Sequence, residues 1–132
     1  MKILLSVTTD KFNSTEQKPN FINDRCFGED FVTWLVDKFR VTGFVLEEPF
    51  QEDWGWATLA RSNGETFAIS IGIMDESIGE QSAEWLITVE KMRKFLFFGS
   101  KNSPHLTKLA DAIESILRDD PCFTNLDRRS EP

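Results

Sequence analysis

The sequence predicts an α+β domain: an antiparallel sheet of about five strands with two helices packed on one face, a two-layer sandwich in the order β-α-β-β-β-β-α. Three observations carry this expectation. Runs alternating between apolar and polar residues follow one another from residue 44 to residue 89 with no helical pattern between them. Two stretches with three-four apolar spacing flank that series. Asn63-Gly64 joins two of the alternating runs, and both residues tolerate the positive φ of a tight hairpin.

Met1 to Thr8 reads as the first strand, buried and either internal to the sheet or paired early, because Ile3, Leu4, Leu5 and Val7 are bounded by polar residues. Asp10 to Asp24, with Asn13, Ser14, Pro19 and Asn20, has the composition of a mobile loop. Glu29 and Asp30 then open a helix that runs to about Arg40, with acids in its first turn and Lys38 and Arg40 in its last, as the helix dipole favours. Its apolar face is wide, with Phe31, Val32, Leu35, Val36 and Phe39 on it and Trp34 at the border. Gly43 stands where a C-terminal cap is expected.

Phe44 to Phe50 begins as an alternating strand and meets Pro49, which confines its end to a sheet edge or a bulge. Trp54 to Arg61 and Glu65 to Met74 form the hairpin pair. In the second of these, Phe67, Ile69, Ile71 and Ile73 share one face, and Ala68, Ser70, Gly72 and Met74 leave the other thin enough for something to lie across it. Asp75 to Gln81 reads as a turn, and Trp85 to Val89 as the last strand of the series. Phe95 to Phe98 either extends that strand or forms a separate edge piece. Ser103 as N-cap and Pro104 at the first helical position start a helix carrying Leu106, Leu109, Ala110, Ile113, Ile116 and Leu117, which stops near Asp119-Asp120-Pro121. Residues 1–120 thus read as one domain, with residues 121–132 a polar tail or a short added strand.

Composition narrows the function classes. At 132 residues the chain can bury a core without metal or disulfide staples. With 22 acidic against 15 basic side chains its net charge is −7, which repels phosphate backbones and argues against nucleic acid as a partner. The apolar run after Lys2 is too short for a signal peptide, and no later run approaches a membrane span, so a cytoplasmic protein is expected. Cys26 and Cys122 form no C-x-x-C pair and read as two free thiols.

Catalytic signatures are lacking. His105 is the only histidine and has no nucleophile at local spacing, and no P-loop, G-x-G-x-x-G or G-x-S-x-G occurs. Asp75, Glu76, Glu80 and Glu84 do not follow a calcium-loop spacing, so they read as a solvated acidic turn, and neither metal nor cofactor is expected. Glu47 and Glu48 point to opposite faces of a strand and make a poor acid-base pair.

What remains is surface. Trp54 and Trp56, two apart in a strand, should share one face beside Glu52 and Asp53. They are either core or a shelf for a partner. The stretch from Lys91 to Lys108 carries five basic residues and no acid, so Arg93, Lys94 and Phe97 mark a basic patch on an acidic body. These residues fit a non-catalytic module that binds another macromolecule, in the manner of small immunity, adaptor or secretion-chaperone proteins. The alternative is a small-molecule binder or enzyme with a pocket between sheet and helices near Trp54 and Trp56. A homodimer through the open sheet face or the Phe95 to Phe98 edge is a third possibility.

Overall fold

The computed structural model describes residues 1–92 and 104–132. Its elements are β1 (Lys2–Thr9), α1 (Glu29–Lys38), β2 (Val45–Leu46), β3 (Phe50–Glu52), β4 (Gly55–Ser62), β5 (Glu65–Ile73), β6 (Ala83–Lys91), α2 (Pro104–Arg118) and β7 (Phe123–Glu131). Among the described residues the fold is α+β, with two α-helices and one antiparallel sheet of seven strands ordered β2-β4-β5-β6-β1-β7, in which β3 also pairs with β4.

Seven strands rather than five arise at the two edges. The run from Phe44 to Phe50 divides into β2 and β3, and the register slips by one residue between the pairs Leu46↔Ala60 and Phe50↔Ala57. Pro49 has no backbone N–H to offer a ladder, so the break falls there and the extra residue is absorbed as a bulge at the sheet edge. At the other edge, residues 123–131 form a nine-residue strand antiparallel to β1. Six of its nine residues are exposed and none is buried, which is why its sequence reads as polar.

The interior strands follow their period-two pattern. Ile3, Leu5 and Val7 of β1, Phe67, Ile69 and Ile71 of β5, and Trp85, Ile87 and Val89 of β6 are at most 1% exposed. They join Phe31, Val32 and Leu35 of α1 and Leu106, Leu109, Ile113 and Leu117 of α2 in one buried cluster. At about 25 cal/mol per Å² of apolar surface, this cluster is the main stabilising term of the fold. β1 lies inside the sheet, between β6 and β7. Asn63 at φ 52 and Gly64 at φ 77 make the two-residue turn between Ser62 and Glu65.

α1 ends at Lys38 and Phe39 begins a 3₁₀ turn that reaches Val41; Gly43 is two residues beyond the turn and does not take a positive φ. Trp34, at the border of α1, packs against Phe12, Phe31 and Phe123, with Lys11 and Lys38 each 5.6 Å from its ring centroid. Cation–π contacts of this kind suit an indole that is half buried.

The segment from Asp10 to Asp24 is a loop, as expected, but its backbone is tied down. The Asn13 amide donates to Asp30 Oδ2 at 2.7 Å, the Gly79 amide to the Ser14 carbonyl at 2.8 Å, and the Ile22 amide to Gln51 Oε1 at 3.0 Å. None of those partners is near in sequence, so composition alone reads the segment as loose. The Ser103 cap and the Phe95 to Phe98 piece lie outside the described residues.

Candidate functional site

β3 and β4 form a hairpin whose last pair, Glu52↔Gly55, leaves Asp53 and Trp54 as its two-residue turn. Trp54 therefore precedes the strand, and the alternation that should couple it to Trp56 does not reach it. The expectation that both tryptophans share a face is corrected: they lie on opposite sides of the sheet. Trp56 is 6% exposed within the helix-covered core, and its Nε1–H donates to the Cys26 carbonyl at 2.9 Å. Trp54 is 41% exposed and borders a groove on the uncovered face.

Two glycines make this arrangement possible. A Cβ on Gly55 would come within 2.1 Å of the Ile71 carbonyl oxygen, so only glycine lets the turn descend onto β5. A Cβ on Gly72 would sit 2.9 Å from the Trp54 carbonyl oxygen and 3.5 Å from Cε3 of its ring. The thin face of β5 is thus crossed by the chain itself, with Trp54 leaning over the bare backbone at Gly72. The 20–27 loop holds the hairpin from outside: Asn23 Nδ2 donates to the Asp53 carbonyl at 2.8 Å, and the Cys26 thiol lies 3.4 Å from the Glu52 carbonyl oxygen.

Trp54 forms one wall of a groove of about 550 Å³. Its floor comes from the outward positions of three neighbouring strands. Gly72 faces Leu86, Ser70 faces Thr88, and Glu90 faces Lys2 across β5, β6 and β1. The floor is therefore small and apolar near Trp54, hydroxylated in the middle and charged at the far end. Above Trp54 the rim carries Asp75 and Glu76, and Arg25 reaches from the loop to pair with Asp75 at 2.7 Å. Glu52 and Asp53 stand on the adjoining hairpin, half buried and exposed respectively. Asp53 in the hairpin turn and the pair Asp75 and Glu76, far apart in sequence, meet at this end of the sheet.

The remaining chemistry lies elsewhere. Glu47 is ion-paired with Arg61 of β4. His105 Nε2 lies 3.3 Å from Asn63 Nδ2 in the β4–β5 turn, at the opposite end of β4 from Trp54. Cys26 is buried and Cys122 exposed, and both are free thiols. The Cys122 thiol is pushed up from its ordinary pKa by its hydrogen bond and charge contact with Asp120, the reverse of an activated nucleophile. No described helix is long and apolar enough to cross a membrane.

Of the residues singled out from sequence, the fold brings together Trp54, Glu52 and Asp53, and removes Trp56 to the core. Arg93, Lys94 and Phe97 lie outside the described residues. Sequence reasoning missed Arg25, Leu86 and the Lys2–Glu90 pair, because the last three residues reach the groove only through long-range strand order and Arg25 only through the packing of its loop on the hairpin. Gly72 was the one local signal, a missing side chain in an otherwise filled strand. Comparison with family models, with curated proteins and with solved structures finds no match to this chain.

Proposed function

We propose that the protein is a non-catalytic cytoplasmic module that binds a basic partner protein through the uncovered face of its sheet, with Trp54 as the anchor. In this reading the molecule is a two-layer sandwich: residues 1–120 carry the core, residues 121–132 add an edge strand, and the helix-free face does the work. Such behaviour fits the immunity, adaptor and chaperone class.

The observation that carries the reading is Trp54 itself. A large aromatic residue is held 41% exposed over a glycine strip, supported by two sterically required glycines and a hydrogen-bonded loop. Exposed tryptophans on a stiff support are typical interface anchors. Asp53 and Glu76 around it, beside an Asp75 already paired with Arg25, together with the net charge of −7, favour a cationic partner surface. A lysine or arginine of that partner could stack on the indole while pairing with the rim acids. The small-molecule reading has less support: the space between sheet and helices is filled by side chains near 0% exposure, and the groove lies on the other face.

The test is capture from native lysate with the wild type and with Trp54→Ala, followed by titration of any recovered protein at low and high salt. Expected are a basic protein bound more tightly at low salt and an affinity loss of about 2 kcal/mol, roughly 30-fold, for Trp54→Ala. A partner held equally by wild type and variant refutes the anchor. A small metabolite retained in native mass spectrometry, with no protein bound, favours the rival.

A further inference from the structure

We infer that β7 pairs with β7 of a second copy of this chain, antiparallel about a two-fold axis at Arg128, so that two sheets become one. The starting observation is the inequality of the two sheet edges. The β2/β3 edge is broken into pieces of two and three residues by the bulge at Pro49. β7 is nine residues long, and its only strand neighbour is β1, which leaves one row of its backbone N–H and C=O groups without a ladder partner among the described strands.

The charges on β7 are self-complementary in antiparallel self-pairing, and the register that achieves this over the longest stretch is centred on Arg128. A two-fold axis normal to the sheet keeps each face on its own side, so paired positions share parity. Centring on Arg128 sets Asp127 of each copy opposite Arg129 of the other, on the uncovered face. Centring one residue either way sets Asp127 opposite itself, or Arg129 opposite itself with Asp127 opposite Glu131. Like charges directly across a strand pair disfavour those registers. Centring on Ser130 sets Arg129 opposite Glu131 but engages only residues 129–131, against 126–130 for the axis at Arg128. Asp127 and Arg129 are both exposed in the single chain, so they are accessible for the contact.

On the covered face this register has one like-charge pair, Arg128 opposite itself, and the carboxylates of α2 offset it. Arg128 Nη1 lies 2.6 Å from Asp111 Oδ1 and 3.0 Å from Glu114 Oε1 of α2. Two Arg128 side chains meeting at the axis would therefore arrive with carboxylates already beside them. Asn125, at φ 55, marks the bulge in the β1–β7 ladder and bounds the regular stretch available for pairing to about five residues on each chain. An interface that short makes a weak, salt-sensitive dimer. It would also place two Trp54 grooves on one continuous face.

The experiment is sedimentation equilibrium of the full chain over a wide concentration range at low salt, with folding of each variant checked by circular dichroism. Wild type should self-associate reversibly and less so at high salt. D127R puts like charges together twice by symmetry and should weaken the dimer about tenfold, and the swap D127R/R129D should restore it. A wild type that stays monomeric at every concentration overturns the inference. So does a dimer that D127R leaves unchanged, or one that the double swap fails to rescue.

Discussion

Trp54→Ala and Trp56→Ala should differ sharply in stability, although the two residues are separated by a single glycine. Trp56 is 6% exposed, sits in the main cluster and donates a hydrogen bond to Cys26. Its truncation leaves a cavity and orphans the Cys26 carbonyl, a loss of about 4 to 5 kcal/mol. Trp54 is 41% exposed and covers one strip of backbone. Relative to Trp56 it buries about 90 Å² less, worth about 2 kcal/mol at 25 cal/mol per Å², and its removal leaves no enclosed void. Its truncation should then cost about 1 to 2 kcal/mol. For a chain of this length these values correspond to drops of roughly 15 °C and 5 °C in Tm. Urea unfolding followed by far-UV circular dichroism measures both, with the slope m as a check on two-state behaviour. Equal losses, or a larger loss for Trp54→Ala, would refute the placement of the two rings on opposite faces.

Gly55→Ala should destabilise by more than 3 kcal/mol, because its Cβ would meet the Ile71 carbonyl oxygen at 2.1 Å and neither backbone can withdraw without opening the β4–β5 ladder. Gly64→Ala, with nothing within 4 Å, should cost only about 1 kcal/mol for its positive φ, and a thermal melt of each variant separates the two cases. The Glu114 carboxyl is held below its ordinary pKa by hydrogen bonds from Arg128 and then Arg118. A depressed folded-state pKa contributes stability that is complete above the unfolded value of 4.5 and is lost as pH falls through the folded value. Glu114→Gln should therefore cost on the order of 1 kcal/mol near neutrality and flatten the fall in stability below about pH 4.5, read from urea titrations across that range.

The α+β class, the Asn63-Gly64 hairpin, the inward set of β5 and the course of α2 were all legible in the chain. Each rests on contacts within a few residues, where period and turn chemistry decide the outcome. The strand count was not legible, because the break at Pro49 depends on how β2 and β3 meet β4, and β7 owes its existence to β1 more than a hundred residues away. For the groove, the sequence supplied Trp54, Asp53 and the bare position at Gly72, but not their meeting. Alternation assigns a face only inside a strand, and whether a residue is in the strand is settled by pairing. Glu52↔Gly55 closes the hairpin one residue too late for Trp54, so one ring went to the core and the other to the open face. Lys2 and Leu86 reached the same groove because β1, β5 and β6 are neighbours in the sheet, an order fixed by the packing of all the apolar faces at once, and Arg25 arrived with the loop that holds the hairpin.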